Sequence, residues 1–430
     1  MKTLLIALLL ALPVTAATRT WNGSVTTSWS EPANWDEHAV PANGDDLLFP
    51  RSANFTSVND LPAGLVVHSI TINANGVRIS GNAIVLDVGG ITVNNQFLSS
   101  QIFCVLDFLS VTLNASQTWT GLAHTQETTV GRVNVNGKTL RITGGSYDLN
   151  SPAGTGSIIN LAGASTIGST WTGTLFVDGG AFFLNGLAGD ARIDAGMLVL
   201  SRAATHEIVV NGGGTLEVDN FSNGGPSVSR SVLITPAAGA PSTVRGGFTV
   251  FNSILLQVVG TLTLNNAKLA LNGDGPNTAG STLVIFSNDG NDFVDGTFMG
   301  LPEGAILNTG GASDQISYRG GDGNDVTLTV LDTFVPSTTI GLTSSANPSL
   351  PEQPVTFTAT VSTSQGSVDF FDGTFRVGTA PLDASGRASL TLPLGPGTHT
   401  ITAAYTGTPS QATSQASIEQ RVIGRRHAAR

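Results

Sequence analysis

The chain has 430 residues, only 11% of them charged, and a formal net charge of −11 at pH 7. That acidic balance disfavours nucleic acid and anionic membrane surfaces as partners, and beyond the N-terminus no apolar run approaches the roughly 18–20 residues that span a bilayer. The single cysteine, Cys104 in IFCVLDFL, excludes an intramolecular disulfide, so stability must come from burial, and the thiol itself reads as buried and inert.

In chain order, MKTLLIALLLALPVTAA carries Lys2, an apolar run from Leu4 to Leu12 and then Val14-Thr15-Ala16. This predicts a secretory signal peptide over 1–16 and an exported protein, secreted or periplasmic. Residues 17–60 hold Trp21, Trp29 and Trp35 and are expected to form an N-terminal cap, because the open end of a stacked β structure exposes strand edges and apolar rungs that must be covered. The same three indoles are the ligand-binding candidates, since an aromatic face can stack on a sugar ring.

Residues 61–331 are a succession of short segments such as LVVHSITIN, AIVLDV, FLSVTLN, GTLFVDG, GTLEVDN and GTLTLNN. Each runs four to eight residues, alternates in polarity and closes on Gly, Asn or Asp, so strands are predicted throughout, with no competing helical period. The closing Asn residues read as corner positions that tolerate φ > 0. Loose recurrence of one phrase predicts a parallel β-solenoid, in which each coil buries its inward row on the next. The competing all-β answer, a single sandwich, is too small for so many strands without hairpin turns.

Residues 332–337 read as a linker. From 338 to 422 the rhythm changes to PVTFTATVST, GSVDFFDGTFRVGTAPL, GRASLTLPL and GTHTITAAYTG, with Asp372-Gly373 as a tight hairpin. This predicts an Ig-like β-sandwich, followed by a tail at 423–430. The fold class is therefore all-β, a parallel β-solenoid with a C-terminal Ig-like sandwich.

Three stretches carry resemblances. Trp21, Gly23, Trp29, Asn34, Trp35, Pro41, Gly44, Asp45 and Phe49 resemble the opening segment of bacterial autotransporter-type and PEP-CTERM-associated β-helix proteins. The stretch from Asn288 through Gly300–Ala305 to Ile316–Leu328 resembles the closing segment of the same proteins. Gly366, Val368, Phe370, Asp372 and Gly373, with GTAPL at 378–382 and GTHTITAAYTG at 397–407, resemble the bacterial Ig-like domain of group 3. The last match departs after Gly407, where 408–417 is polar and small, so the final strand is expected to be short or poorly packed.

GGDGND at 320–325 is also similar to one calcium-binding nonapeptide of an RTX β-roll, and with Asp289 and Asp292 of the neighbouring NDGND it supplies calcium candidates Asp322, Asn324 and Asp325. A single copy cannot fill a shell of about six to eight oxygens, and Thr327 stands where a large apolar residue belongs. The reading is instead a final hairpin, Val326, Leu328 and Val330 inward and Thr327 outward. No metal or other cofactor is therefore assigned.

Glycoside cleavage needs two carboxylates about 5–10 Å apart, and no acid pair on successive coils is identifiable. A carbohydrate-active solenoid would be marked by three or more acids, or an acid with an arginine, converging in a groove, and such a cluster would count against the structural reading. His399 and His68 sit in phase with apolar strand residues and read as structural, whereas His38, His124 and His206 stand singly. No catalytic residue is assigned. The expected function is an exported, non-enzymatic structural or adhesin-like surface protein presenting a β-helical rod and an Ig-like module. The alternative is a carbohydrate-binding or carbohydrate-active β-helix, a lyase or hydrolase. Partners would be extracellular polysaccharide or a cell-surface protein. The C-terminal IGRRHAAR offers no apolar anchor, so release rather than retention is expected.

Overall fold

A computed structural model describes residues 17–51, 56–74, 76–94, 104–121, 127–201, 204, 206–218, 227–228, 231–235, 240–247, 254–272, 278–289, 292–309, 312–332 and 334–423. The expected leader at 1–16 and the tail from 424 lie outside them. Apart from one turn of 3-10 helix, Pro32–Asn34, the described residues form strands, and no helix is long and apolar enough to cross a membrane. The chain divides into two units, Met1–Gly156 and Ser157–Arg430, each taken by itself below.

In the first unit, β-branched and aliphatic residues at alternate positions fit a pleated surface and send one set inward. Parallel pairing then stacks those inward residues in columns. Ile79 lies beside Leu106, Leu106 beside Val130 and Val130 beside Leu149, all fully buried. A second column runs from Phe49 through Ile72 to Val93. Burying one such side chain contributes about 1.5–3 kcal/mol, and a lone coil, lacking the coil above it, has nothing to bury it against. The strands Asp45–Phe49 and Thr56–Asn59 already belong to this ladder, so parallel stacking begins inside the segment read as cap.

The second unit repeats the arrangement. Leu175, Ala191, Ile208, Val232 and Leu262 stack in one column, and Val177, Ile193, Val210 and Ile234 in the next. Phe182, Leu198, Leu216, Val244 and Leu269 form a third. Asn265 and Asn266, like Asn136 in the first unit, occupy positive φ at corners, as expected. Other asparagines have a different role. Asn160 is fully buried and donates its amide to Gly179 O at 2.7 Å, and in the first unit Asn59 donates to Asn82 O at 3.0 Å. These amides replace water for groups the corner leaves inside, so they tie one coil to the next.

The parallel ladder does not run to Leu331. The strand Thr282–Asn288 is parallel to Ile254–Val258 but antiparallel to Asp325–Val330, which pairs antiparallel with Ala312–Gly320. The expected final hairpin is there, Ile316 opposite Leu328 and Gly320 opposite Asp325. Thr327, however, is buried rather than outward. Its strand is central in the closing sheet, with partners on both sides, and Thr327 packs where a Cβ on Gly320 would collide with it.

Beyond it, the strands Ile340–Ser344, Val355–Val361 and Arg387–Leu392 face Phe375–Pro381, Ser367–Asp372, Gly397–Tyr405 and Ser414–Val422 across a core of Phe357, Phe370, Ile401, Ala403 and Tyr405. The last strand is neither short nor loose. It pairs with Gly397–Tyr405 from Gly397 opposite Val422 to Tyr405 opposite Ser414, because its polar residues point outward while Gln420 and Val422 are buried. Within 332–337, Val335 is buried against Ile306 and Ala412, whereas Asp332, Phe334, Pro336 and Ser337 are exposed. Met299, Phe371 and Ala404 form a second apolar contact, between the turn that precedes Ile306–Thr309 and the sandwich.

Phe182 is fully buried whereas its neighbour Phe183 is 38% exposed. Phe182→Ala is therefore expected to cost about 3–5 kcal/mol and Phe183→Ala under about 1 kcal/mol, read from urea midpoints at unchanged m-value. Equal losses would show that the strand register is shifted by one residue.

Candidate functional site

The three candidate tryptophans are all 0% exposed. Trp35 meets Trp21 edge to face at 5.1 Å and Trp29 at 5.8 Å, and Trp29 reaches Phe108 at 6.0 Å. Their polar atoms are spent internally: Trp35 Nε1 donates to Trp29 O at 3.0 Å, and Trp29 Nε1 donates to Ser57 Oγ. Asn34 is equally committed. Its Oδ1 accepts from the N–H groups of Val25 and Thr26, and its Nδ2 donates to Thr26 Oγ1 and Ser28 O. Asp45 accepts from Ala17 N, Ala42 N and, at 2.7 Å, Arg19 Nε. No indole face is open to a ring in this arrangement.

Of the calcium candidates, Asp289 and Asp322 are exposed, while Asn324 and Asp325 are buried. The two turns that carry them meet. Asn288 N donates to Asp325 Oδ1 at 2.9 Å, and Asn288 Nδ2 and Asn324 Nδ2 both donate to Asp292 O, at 2.8 and 3.2 Å. Burial pushes the Asp325 carboxyl up, helped by the charge of Asp322. Among the described residues no three His, Cys, Asp or Glu side chains gather to hold a metal. Nearby Tyr318 accepts from Phe298 N at 2.9 Å and donates to Leu301 O at 2.7 Å, and burial raises its hydroxyl pKa.

One acid pair on successive coils escaped the sequence. Because Val177 pairs with Ile193, Asp178 and Asp194 stack one residue further on. Burial, then the Asp194 charge and a hydrogen bond from one carboxyl to the other, raise the Asp178 pKa. Arg192 Nε lies 2.8 Å from Asp194. The signal was present as VDGG at 177–180 and IDAG at 193–196, the same phrase one coil apart. The group sits at an exposed corner.

In the first unit an open groove of about 520 Å³ is lined by Asn82, Asp107, Phe108, Leu109 and Arg132. It brings one acid and one arginine to a single coil face. Two histidines serve the fold: His399 Nδ1 lies 2.8 Å from Asp372 and its Nε2 3.0 Å from Gly395 O, and His68 Nδ1 is 2.7 Å from Asp46, while His124 lies outside the described residues. Cys104 is buried, which raises its thiol pKa and keeps the reactive thiolate scarce.

Residues 342–423 match the family model of the bacterial Ig-like domain (group 3). No curated protein and no solved structure matches the chain.

Because the folded state raises the Asp178 pKa, ionising this group works against the fold, and the cost appears as pH rises through the folded pKa. Asp178→Asn is expected to stabilise the protein at pH 7 by no more than a few tenths of a kcal/mol, because water at this exposed corner screens the like charges. The gain should fade in denaturation curves taken below the ordinary carboxylate range, where both forms are neutral.

Proposed function

We propose that this is an exported, non-enzymatic surface protein, structural or adhesive, in which stacked coils carry and brace an Ig-like module. The observation that supports the reading most directly is the bracing itself. The module packs on the turn before the closing-sheet strand Ile306–Thr309 through Met299, Phe371 and Ala404, and on that strand through Ile306, Val335 and Ala412. Lys268 Nζ adds a polar contact to Ser417 Oγ at 3.2 Å, and Asn266 Nδ2 another to Thr374 O at 3.2 Å. A module held at several points presents its outer strands in a fixed direction, which suits display or attachment. A jointed tether would need none of these contacts.

A second reading, contact with extracellular polysaccharide, is favoured by the Asp107–Arg132 groove, where a carboxylate and a guanidinium face the same open surface as the exposed Leu109. The groove carries the acid-with-arginine pairing that marks a carbohydrate-active solenoid, but it lines a single acid whereas glycoside cleavage needs two, so binding rather than cleavage is the form this reading takes. Phe293, 72% exposed, and Phe375 add apolar surface elsewhere in the second unit.

Both readings are testable with the full chain expressed in a bacterial host. Fractionation is expected to place it outside the cytoplasm, and neutral and uronic polysaccharides incubated with it should release no reducing ends or unsaturated products above blank. Retention in the cytoplasm, or turnover abolished by Asp107→Asn, would overturn the proposal. Polysaccharide co-sedimentation that Arg132→Ala weakens at least tenfold would favour the second reading.

A further inference from the structure

Two turns far apart in the chain converge at the closing sheet, and their polar groups do not balance by themselves. Asn288 is 1% exposed, and its Nδ2 is committed to Asp292 O, which fixes the amide orientation and leaves Oδ1 as its acceptor end. That Oδ1 is buried and has no hydrogen-bond partner among the described residues. A buried amide oxygen left so costs about 1–3 kcal/mol, and native structures rarely leave that cost standing.

The carboxylate beside it is in a similar position. Asp325 is 8% exposed, accepts one backbone N–H through Oδ1, and takes part in none of the ion pairs among the described residues. Its other oxygen lies against Gly321, where a Cβ would collide with it and where φ is +57°, so only glycine lets the carboxylate occupy this place. Asp322 stands close enough for its charge to act on Asp325. Two negative charges and a buried amide oxygen thus share one locality, and no ion pair among the described residues offsets them.

The geometry points to a calcium-class divalent cation site built from Asn288, Asn324 and Asp325, with Asp322 at its rim. All its donors are oxygen, which selects a hard cation and disfavours zinc or copper. Calcium fits better than magnesium, because it accepts irregular sets of amide, carboxylate and water oxygens, whereas magnesium demands a near-ideal octahedron and sheds water reluctantly. Water would complete the shell. The bound ion would tie the strand Thr282–Asn288 to the turn before Asp325–Val330, closing the sheet edge by charge where hydrogen bonds run out.

The test is thermal denaturation of the full chain across a calcium titration, with magnesium and ionic-strength-matched sodium chloride as controls. Calcium is expected to raise Tm with a midpoint of about 0.1–1 mM, the range of extracellular calcium modules, and magnesium at the same concentration should not. Asp325→Asn should abolish the shift. Asp322→Asn, at an exposed position that leaves folding intact, should weaken calcium affinity several-fold without changing Tm in chelator. A calcium shift of the same size in both variants, or equal shifts with calcium and magnesium, would overturn the site. So would no shift at all, in which case a buried water satisfies Asn288.

Discussion

A coil of parallel strands satisfies its backbone only by lying on another coil, and this constraint governs the rest of the molecule. Every interior rung finds N–H and C=O partners above and below, but a terminal rung presents a full row of open groups and a face of apolar side chains. At the opening of the first unit the solution is bulk. Trp21, Trp29, Trp35 and Phe49 fill the terminal layer, and Asn34 and Asp45 bind the loop backbone that covers them. In the second unit the solution is a change of strand direction: Asp325–Val330 pairs antiparallel on both sides, and the hairpin with Ala312–Gly320 turns the edge into a meander.

The corners between rungs impose a second cost. Coils this short turn sharply, so some polar groups end inside, and each must be met by a neighbour rather than by water. Asn160 reaching Gly179 and Asn59 reaching Asn82 meet it with side-chain amides that step from coil to coil. The Asp178–Asp194 stack is what the same geometry produces when the corner residue is acidic: the coil repeat brings like charges together, and Arg192 only partly offsets them.

Strand identity, the solenoid class and the sandwich were legible because period-two alternation and glycine-closed turns are local properties, and Val355, Phe357, Ala359 and Val361 are buried together as that alternation requires. What lay beyond reading depends on register. Asp178 meets Asp194, and Asn288 meets Asp325, only once coil length and strand direction are fixed, and neither follows from a loose repeat. Thr327 illustrates the limit. Alternation assigns it outward, yet a central strand has two flanks, and the glycine at 320 opens room for it on the side a shorter hairpin would leave to solvent. The final strand misled for the opposite reason. Its polar outer face looked weak, although its pairing with Gly397–Tyr405 rests on backbone groups that composition does not report.

The closing sheet joins three dependencies that the sequence keeps apart. Phe286 packs against Phe298 at 6.2 Å and Phe298 against Tyr318 at 6.3 Å, while Met299, the next residue, packs on Phe371 of the sandwich. Asn288 and Asp325 lie at the ends of the same paired strands. Opening the strand Asp325–Val330 would therefore release the parallel ladder's edge, loosen the aromatic layer under the module and separate the two polar turns at once. Interactions that break in one opening event support one another cooperatively, so a small gain at any one of them is felt by the module as a firmer base. Placing polar turn, aromatic layer and docking surface on one sheet makes the Ig-like module's orientation depend on how well that sheet is closed.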